Sequence, residues 1–156
     1  MVVLELDGNK EIEIELDYEN APLSCKNFEE LVKKGFYDGL TFHRIIKGFM
    51  IQGGDPTGTG MGGSDKSIKG EFLANGVKNS LSHKRGVVSM ARAMNYDSAT
   101  SQFFIVHKDS EFLDGQYAAF GKVIKGIEYV DEIANVKTTR NDRPIEKVVI
   151  KKMYIK

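Results

Sequence analysis

A mostly β fold, an antiparallel sheet closed on itself with helices at its ends, is predicted by three features of this chain. Many short apolar runs carry strand periodicity, two stretches carry helical periodicity, and glycine-rich turns separate them. No internal repeat, low-complexity tract or linker interrupts the pattern, so residues 1–156 read as a single domain.

Val2–Leu6 and Glu11–Leu16 flank Asp7-Gly8-Asn9, a hairpin signal. In the second run Ile12, Ile14 and Leu16 alternate with Glu11, Glu13 and Glu15, which predicts a strand with one solvated face rather than an acidic metal site. Asn20-Ala21-Pro22 opens a helix, with Asn20 as its cap and the proline in its first turn. Phe28, Leu31 and Val32 give that helix an apolar stripe, and Gly35 ends it. Thr41–Ile46 and Phe49–Gln52 are short strands joined by a tight Lys47-Gly48 turn and closed by Gly53-Gly54-Asp55. The glycines of Asp55–Gly63 are followed by neither Gly-Lys-Ser/Thr nor an apolar helix, which argues against a phosphate loop. They suit a backbone that turns tightly or approaches something closely.

Ser82–Arg85 is a polar turn leading into a strand over Gly86–Met90, and Ala91–Thr100 is a long polar loop. Gln102–Val106 is a dense apolar strand, and Asp109–Gly115 a short helical turn. Tyr117–Val123 is the next strand, its Ala118 and Ala119 small enough for close packing. Ile127, Val130, Ile133 and Ala134 mark a second amphipathic helix, followed by a solvated loop over Lys137–Arg143. After Pro144 a last strand runs to Ile155, and its alternation slips at Lys151-Lys152, as at a bulge.

The 41% hydrophobic and 28% charged fractions suit a folded domain with one buried core. Lysine plus arginine equals aspartate plus glutamate at 22 each, so no net field draws the chain to nucleic acid or an anionic membrane. No apolar run approaches the roughly 18 residues of a membrane span. The N-terminus reads directly as a strand, without the basic start and apolar stretch of a signal peptide. Cys25 is the sole cysteine, which leaves no intramolecular disulfide and makes it a packing residue. These features point to the cytoplasm.

Arg44 is the anomaly, a permanent charge in an apolar strand, on one face with Phe42 and Ile46 if the period of two holds. It either snorkels to water, pairs with an acid, or is held toward a ligand. His43 points to the opposite face and reads as structural. His83 and His107 have no metal-ligand spacing, and Ser101 with His107 lacks a nucleophile-elbow motif.

The stretch Phe42–Asp55 closely resembles the signature of the cyclophilin peptidyl-prolyl isomerases. Ser89-Met90-Ala91-Arg92-Ala93, Ser101-Gln102-Phe103-Phe104-Ile105, Phe112-Leu113-Asp114-Gly115 and Phe120-Gly121-Lys122-Val123 resemble further words of that family, in family order. The likeness runs from about Val3 to Ile155, and the short form with Tyr117 looks more bacterial than animal. It implies a closed eight-stranded antiparallel β-barrel capped by two α-helices, packed inside, with substrate in a groove on the outer wall. It also implies a monomer acting on proline-containing peptides and unfolded proteins.

The implied reaction is rotation about the bond before proline, which takes tens to hundreds of seconds uncatalysed. Reaching milliseconds requires a gain of roughly 10⁴–10⁵, or about 5.5–7 kcal/mol. No heavy-atom bond is made or broken, so no nucleophile, metal or cofactor is required. The twisted amide nitrogen regains a lone pair, and a donor placed there acts only in the transition state. By resemblance Arg44 is that donor, and Phe49, Met50, Phe104 and Leu113 wall a proline pocket. Gln52 and Gln102 hold the substrate backbone and brace the arginine. Ala91, Arg92 and Ala93 line the groove for preceding residues, and Gly60 belongs to the loop facing it.

Phe112 stands where many cyclophilins carry tryptophan, and Tyr117 where histidine is common. The missing indole N–H implies weak binding of cyclosporin. The loop Met94–Thr100 is about one residue longer than the familiar pattern. Without the resemblance, Phe49, Met50 and Phe104 read as core rather than as a pocket, and a structural hydrogen bond would also account for Gln52 and Gln102. One rival function shares these residues, a module that captures proline segments without turning them over. Another, a barrel holding a small molecule inside, predicts polar inward residues, and the apolar strands argue against it.

Overall fold

Eight strands form in the computed structural model, which describes residues 1–156: β1 (Val2–Leu6), β2 (Lys10–Leu16), β3 (Phe42–Ile46), β4 (Met50–Gly53), β5 (Val87–Met90), β6 (Phe103–Val106), β7 (Ala119–Lys125) and β8 (Ile150–Ile155). Two helices, α1 (Pro22–Lys33) and α2 (Ile127–Ala134), complete the regular structure. The strands make one antiparallel sheet in the order β3-β4-β6-β5-β7-β2-β1-β8.

The sheet curls but does not close as a ladder, which corrects the closed barrel expected from the sequence. Its end strands β3 and β8 are linked only through flanking residues, by an isolated bridge between Thr41 and Val149. The free edge of β3 is covered instead by the loop before β8. Phe42 N donates to Val148 O at 3.0 Å and Ile45 N to Asp142 O at 2.8 Å. Pro144 sits in that loop, and without an N–H it cannot continue a ladder.

Boundaries otherwise fall close to the sequence reading, except that β8 begins only at Ile150, well after Pro144, because the intervening residues bond to the edge of β3 instead. β7 starts at Ala119 rather than Tyr117 because the chain is still turning there, with Ala119 N donating to Tyr117 O at 3.2 Å. The slip expected in the last strand is present. Glu5 pairs with Lys152 and Leu6 with Ile150, so Lys151 is the extra residue and both Ile150 and Met153 stay buried. α1 ends as expected at Gly35, whose φ of +71° is open to glycine; Gly35 N and Phe36 N donate back to Val32 O and Leu31 O, each at 3.0 Å.

Two local expectations fail because distant residues intervene. Asn20 does not cap α1; its amide oxygen accepts from Ser80 N at 2.9 Å instead. The cap is the buried carboxylate of Glu71, which accepts from Leu23 N (3.1 Å), Ser24 N (2.7 Å) and Ser24 Oγ (2.8 Å). Glu13 is not solvated like its neighbours either. It is 6% exposed, and Lys156 Nζ at 3.1 Å, with Lys125 Nζ at 3.6 Å, holds its carboxyl below the usual range.

The inside of the sheet is filled by rings. Phe28 packs against Phe120, Tyr37 and Phe103 with centroids 4.9–5.3 Å apart, and Phe42 against Phe103 at 6.0 Å. A ligand in the barrel interior would have to displace them. Cys25 belongs to this packing, fully buried, its thiol pushed up to about 12 by burial. The strand period then sorts the remaining apolar residues. Ile51, Phe103 and Ile105 face the inner core, whereas Met50, Phe104 and Val106 join Leu113 in a smaller cluster on the outside.

Candidate active site

The outer cluster lies beside Arg44, and a bulge explains how a charge comes to be there. Phe42 pairs with Gly53 and Arg44 with Gln52, leaving His43 as the extra residue on β3. Phe42 therefore turns into the inner core while Arg44 turns outward, so the two do not share a face as strict alternation predicts. His43 is buried beneath Gly60, and burial holds its imidazole below the ordinary histidine range, which keeps it neutral near pH 7.

No carboxylate pairs with Arg44. Its Nη1 donates to Gln52 Oε1 at 3.5 Å, the outer limit of a hydrogen bond. Gln52 Nε2 donates to Gln102 Oε1 at 3.0 Å, and Gln102 Nε2 to the carbonyls of Gly60 (3.0 Å) and Gly62 (2.8 Å). The loop carbonyls thus hold Gln102, Gln102 holds Gln52, and Gln52 braces the guanidinium from one side.

Beside this chain of amides is a cavity of about 110 Å³, with Arg44 and Gln52 at its edge and Phe49, Met50, Phe104 and Leu113 among its walls. Tyr117 also lines it, edge-on to Phe104 at 5.9 Å. A second cavity of about 370 Å³ shares Gln52, Ala91 and Arg92 with the first and runs on past Ala93, Gln102 and Gly60. Arg92 stands at the junction, its guanidinium 4.6–5.1 Å from the rings of Tyr117, Phe72 and Tyr96 and donating to Gln116 O at 2.7 Å. Phe112 lines neither cavity. It is 73% exposed and leans on Phe49 at the rim, with centroids 5.6 Å apart.

Sequence reasoning missed the rest of the second cavity, where Met61, Gly62, Gly63, Ser64, Ser98 and Thr100 also contribute. The density of glycines after Asp55 was the available signal. Asp55 is the reason that loop holds its shape: its buried carboxylate accepts from Thr57 N and Oγ1 (both 2.8 Å), Gly60 N (2.7 Å) and Gly62 N (3.1 Å). Gly60 meets this geometry at φ +92°, where a side chain would be strained.

Burial pushes the Asp55 carboxyl up, but those donors outweigh it and hold the group at about 2. Its folded value lies below its unfolded one. The stabilisation is therefore present above about pH 4 and lost as pH falls toward 2. Acid unfolding followed by circular dichroism between pH 4 and 2 should show this slope in the wild type, worth on the order of 2 kcal/mol. Asp55→Asn should lack it.

Ser101 and His107 are not partners. Ser101 Oγ donates to Gly54 O at 2.7 Å, and His107 Nδ1 accepts from Gly48 N at 2.9 Å.

The profile of the family described as "Cyclophilin type peptidyl-prolyl cis-trans isomerase/CLD" matches residues 1–155. Peptidyl-prolyl cis-trans isomerase-like 1 of Mus musculus is 45% identical over 144 residues, covering 92% of this chain and 85% of the mouse protein. A peptidyl-prolyl cis-trans isomerase of Acinetobacter baylyi is 50% identical over 137 residues, covering 82% of this chain and 69% of its own. Among solved structures, a cyclophilin type isomerase of Cryptosporidium parvum, crystallised in the presence of the dipeptide Ala-Pro, superposes with a TM-score of 0.90. It is 36% identical, covering 99% of this chain and 98% of that one.

Proposed function

The chain belongs to the cyclophilin-type peptidyl-prolyl cis-trans isomerases, and from that membership we propose that Arg44, beside the small apolar cavity, is the group that lowers the barrier to X-Pro rotation. The supporting observation is a guanidinium with no acid partner, braced by Gln52 at the edge of a cavity walled by Phe49, Met50, Phe104 and Leu113. The pyrrolidine ring enters that cavity and stays fixed. The chain on its other side turns, with Gln52 and Gln102 near its backbone and the preceding residues lying along Ala91, Arg92, Ala93 and Gly60. As the amide twists, its nitrogen becomes a hydrogen-bond acceptor, and Arg44 donates to it. The bond strengthens only in the transition state, so it raises turnover rather than ground-state affinity.

The protein acts as a cytoplasmic monomer on proline-containing segments of unfolded or flexible chains, assisting their folding. Exchange spectroscopy by NMR on a proline tetrapeptide tests this against simple capture. The proposal expects cis and trans signals to interconvert within milliseconds to seconds when catalytic amounts of protein are added. A pure binder shifts populations in proportion to its concentration and leaves the exchange rate alone.

The rim position of Phe112 bears on drug binding. A phenyl ring offers apolar area there but no N–H, so cyclosporin binds weakly. Phe112→Trp should tighten it about tenfold, the worth of one hydrogen bond, as read by calorimetry.

A further inference from the structure

Stacked on Phe104 and lining neither cavity of the groove, one buried imidazole ties three segments together. His83 is 1% exposed. Its Nδ1 lies 2.8 Å from Asp114 Oδ1, its Nε2 2.8 Å from Ser89 Oγ, and its ring stacks on Phe104 at 6.0 Å and 19°. Asp114 also accepts from His83 N at 2.7 Å and Ser82 Oγ at 2.5 Å. The series Ser89, His83, Asp114 has the hydrogen bonds of a hydrolytic triad, but Ser89 is fully buried and lines neither cavity of the groove. The arrangement makes sense from its other contacts. Ser89 sits opposite Phe104 in the register of β5 and β6, and Asp114 directly follows Leu113.

We propose that His83 is a positioning residue for the proline pocket, holding Phe104 and Leu113 in place only while its imidazole is neutral. The inference rests on the pocket assignment made above. Asp114 remains ionised: burial pushes its carboxyl up, but the donors from Ser82 and His83 bring it below the usual range. His83 Nδ1 therefore carries the proton, and the bare Nε2 accepts from the Ser89 hydroxyl. Protonation turns Nε2 into a donor. The hydroxyl proton of Ser89 then loses its acceptor, and a charge appears against an apolar wall.

Asp114 is the charged group facing the ring. β5 contributes Ser89 and β6 contributes Phe104, neither charged, and Tyr117 lies beyond Phe104. Lys84 and Arg85, next in sequence, turn away toward Glu111 (3.8 Å) and Asp131 (2.7 Å). Burial outweighs Asp114 and lowers the imidazole below the ordinary histidine value, so the loss falls on the acid side of about pH 6.5.

The test follows kcat and KM for an uncharged proline tetrapeptide from pH 4.5 to 8, in the wild type, His83→Gln and Ser89→Ala. NMR of the His83 ring, the Phe104 ring and the Leu113 methyls accompanies it. Wild-type KM should rise about fivefold or more in a one-proton step, at the midpoint where His83 titrates and where Phe104 and Leu113 shift. His83→Gln should have a raised KM without the step. Ser89→Ala, which removes the stranded hydroxyl, should move the midpoint upward. An acid step that persists unchanged in His83→Gln overturns the proposal, as does titration of His83 that leaves Phe104 and Leu113 unmoved. The spectra need only the wild type, so a variant that fails to fold leaves that test standing. Wild-type turnover at neutral pH tests the pocket assignment separately.

Discussion

Arg44→Ala should lower kcat/KM for a proline tetrapeptide by about 10²–10³, the usual cost of removing one preorganised transition-state donor. The deficit should lie in kcat, because the proposed bond to the twisted nitrogen would form in neither planar isomer. The fold should be untouched: Arg44 is exposed, makes one long hydrogen bond and holds no ion pair, so its loss strands no buried group. Melting temperature and circular dichroism check that half of the expectation. Arg44→Lys should recover only part of the rate, since an ammonium cannot reproduce the planar fork that Gln52 braces. Unchanged turnover in Arg44→Ala would remove the mechanism proposed here.

Glu71→Ala should be the most destabilising single change to a polar side chain, by about 3 kcal/mol. It strands the Leu23 and Ser24 amides and the Ser24 hydroxyl at the start of α1, a site closed to water because Glu71 and Ser24 are both buried. For a chain of this length that corresponds to a fall of roughly 6–12 °C in melting temperature. Glu71→Gln should lie between the two, since its amide still offers one acceptor oxygen. A loss below 1 kcal/mol in Glu71→Ala would mean that water or Asn20 takes over the cap.

These two residues mark what the sequence could and could not convey. Arg44 was conspicuous because it violated its own strand, and the pocket residues carried short words that survive as words whatever the fold around them. Strand periodicity could not separate Phe103 from Phe104, because Gln102–Val106 is apolar at nearly every position; only the family resemblance marked Phe104 as a pocket wall. Glu71 gave no such sign. It caps a helix that begins 49 residues earlier, and a carboxylate in a loop looks solvated until the partner is in place. Glu13 deceived for the same reason, as its alternation matched a wet face while Lys156 closed over it. The turn of Phe42 away from Arg44 depends on one unpaired residue, and a bulge in a five-residue strand leaves no statistical trace. The seam between β3 and β8 was hidden too, since closure is decided by what the 137–149 loop does at an edge.

Asp55 and Arg44 never touch, yet they are the two ends of one polarised circuit. From the carboxylate, each hydrogen-bonding group along Gly60, Gln102 and Gln52 points its hydrogen back toward the anion and its oxygen forward toward the cation. Aligned dipoles reinforce one another in series. The guanidinium therefore feels a negative charge relayed from across the loop, which favours its location without neutralising it. Its remaining N–H bonds stay free of any acid, which a direct ion pair would have consumed.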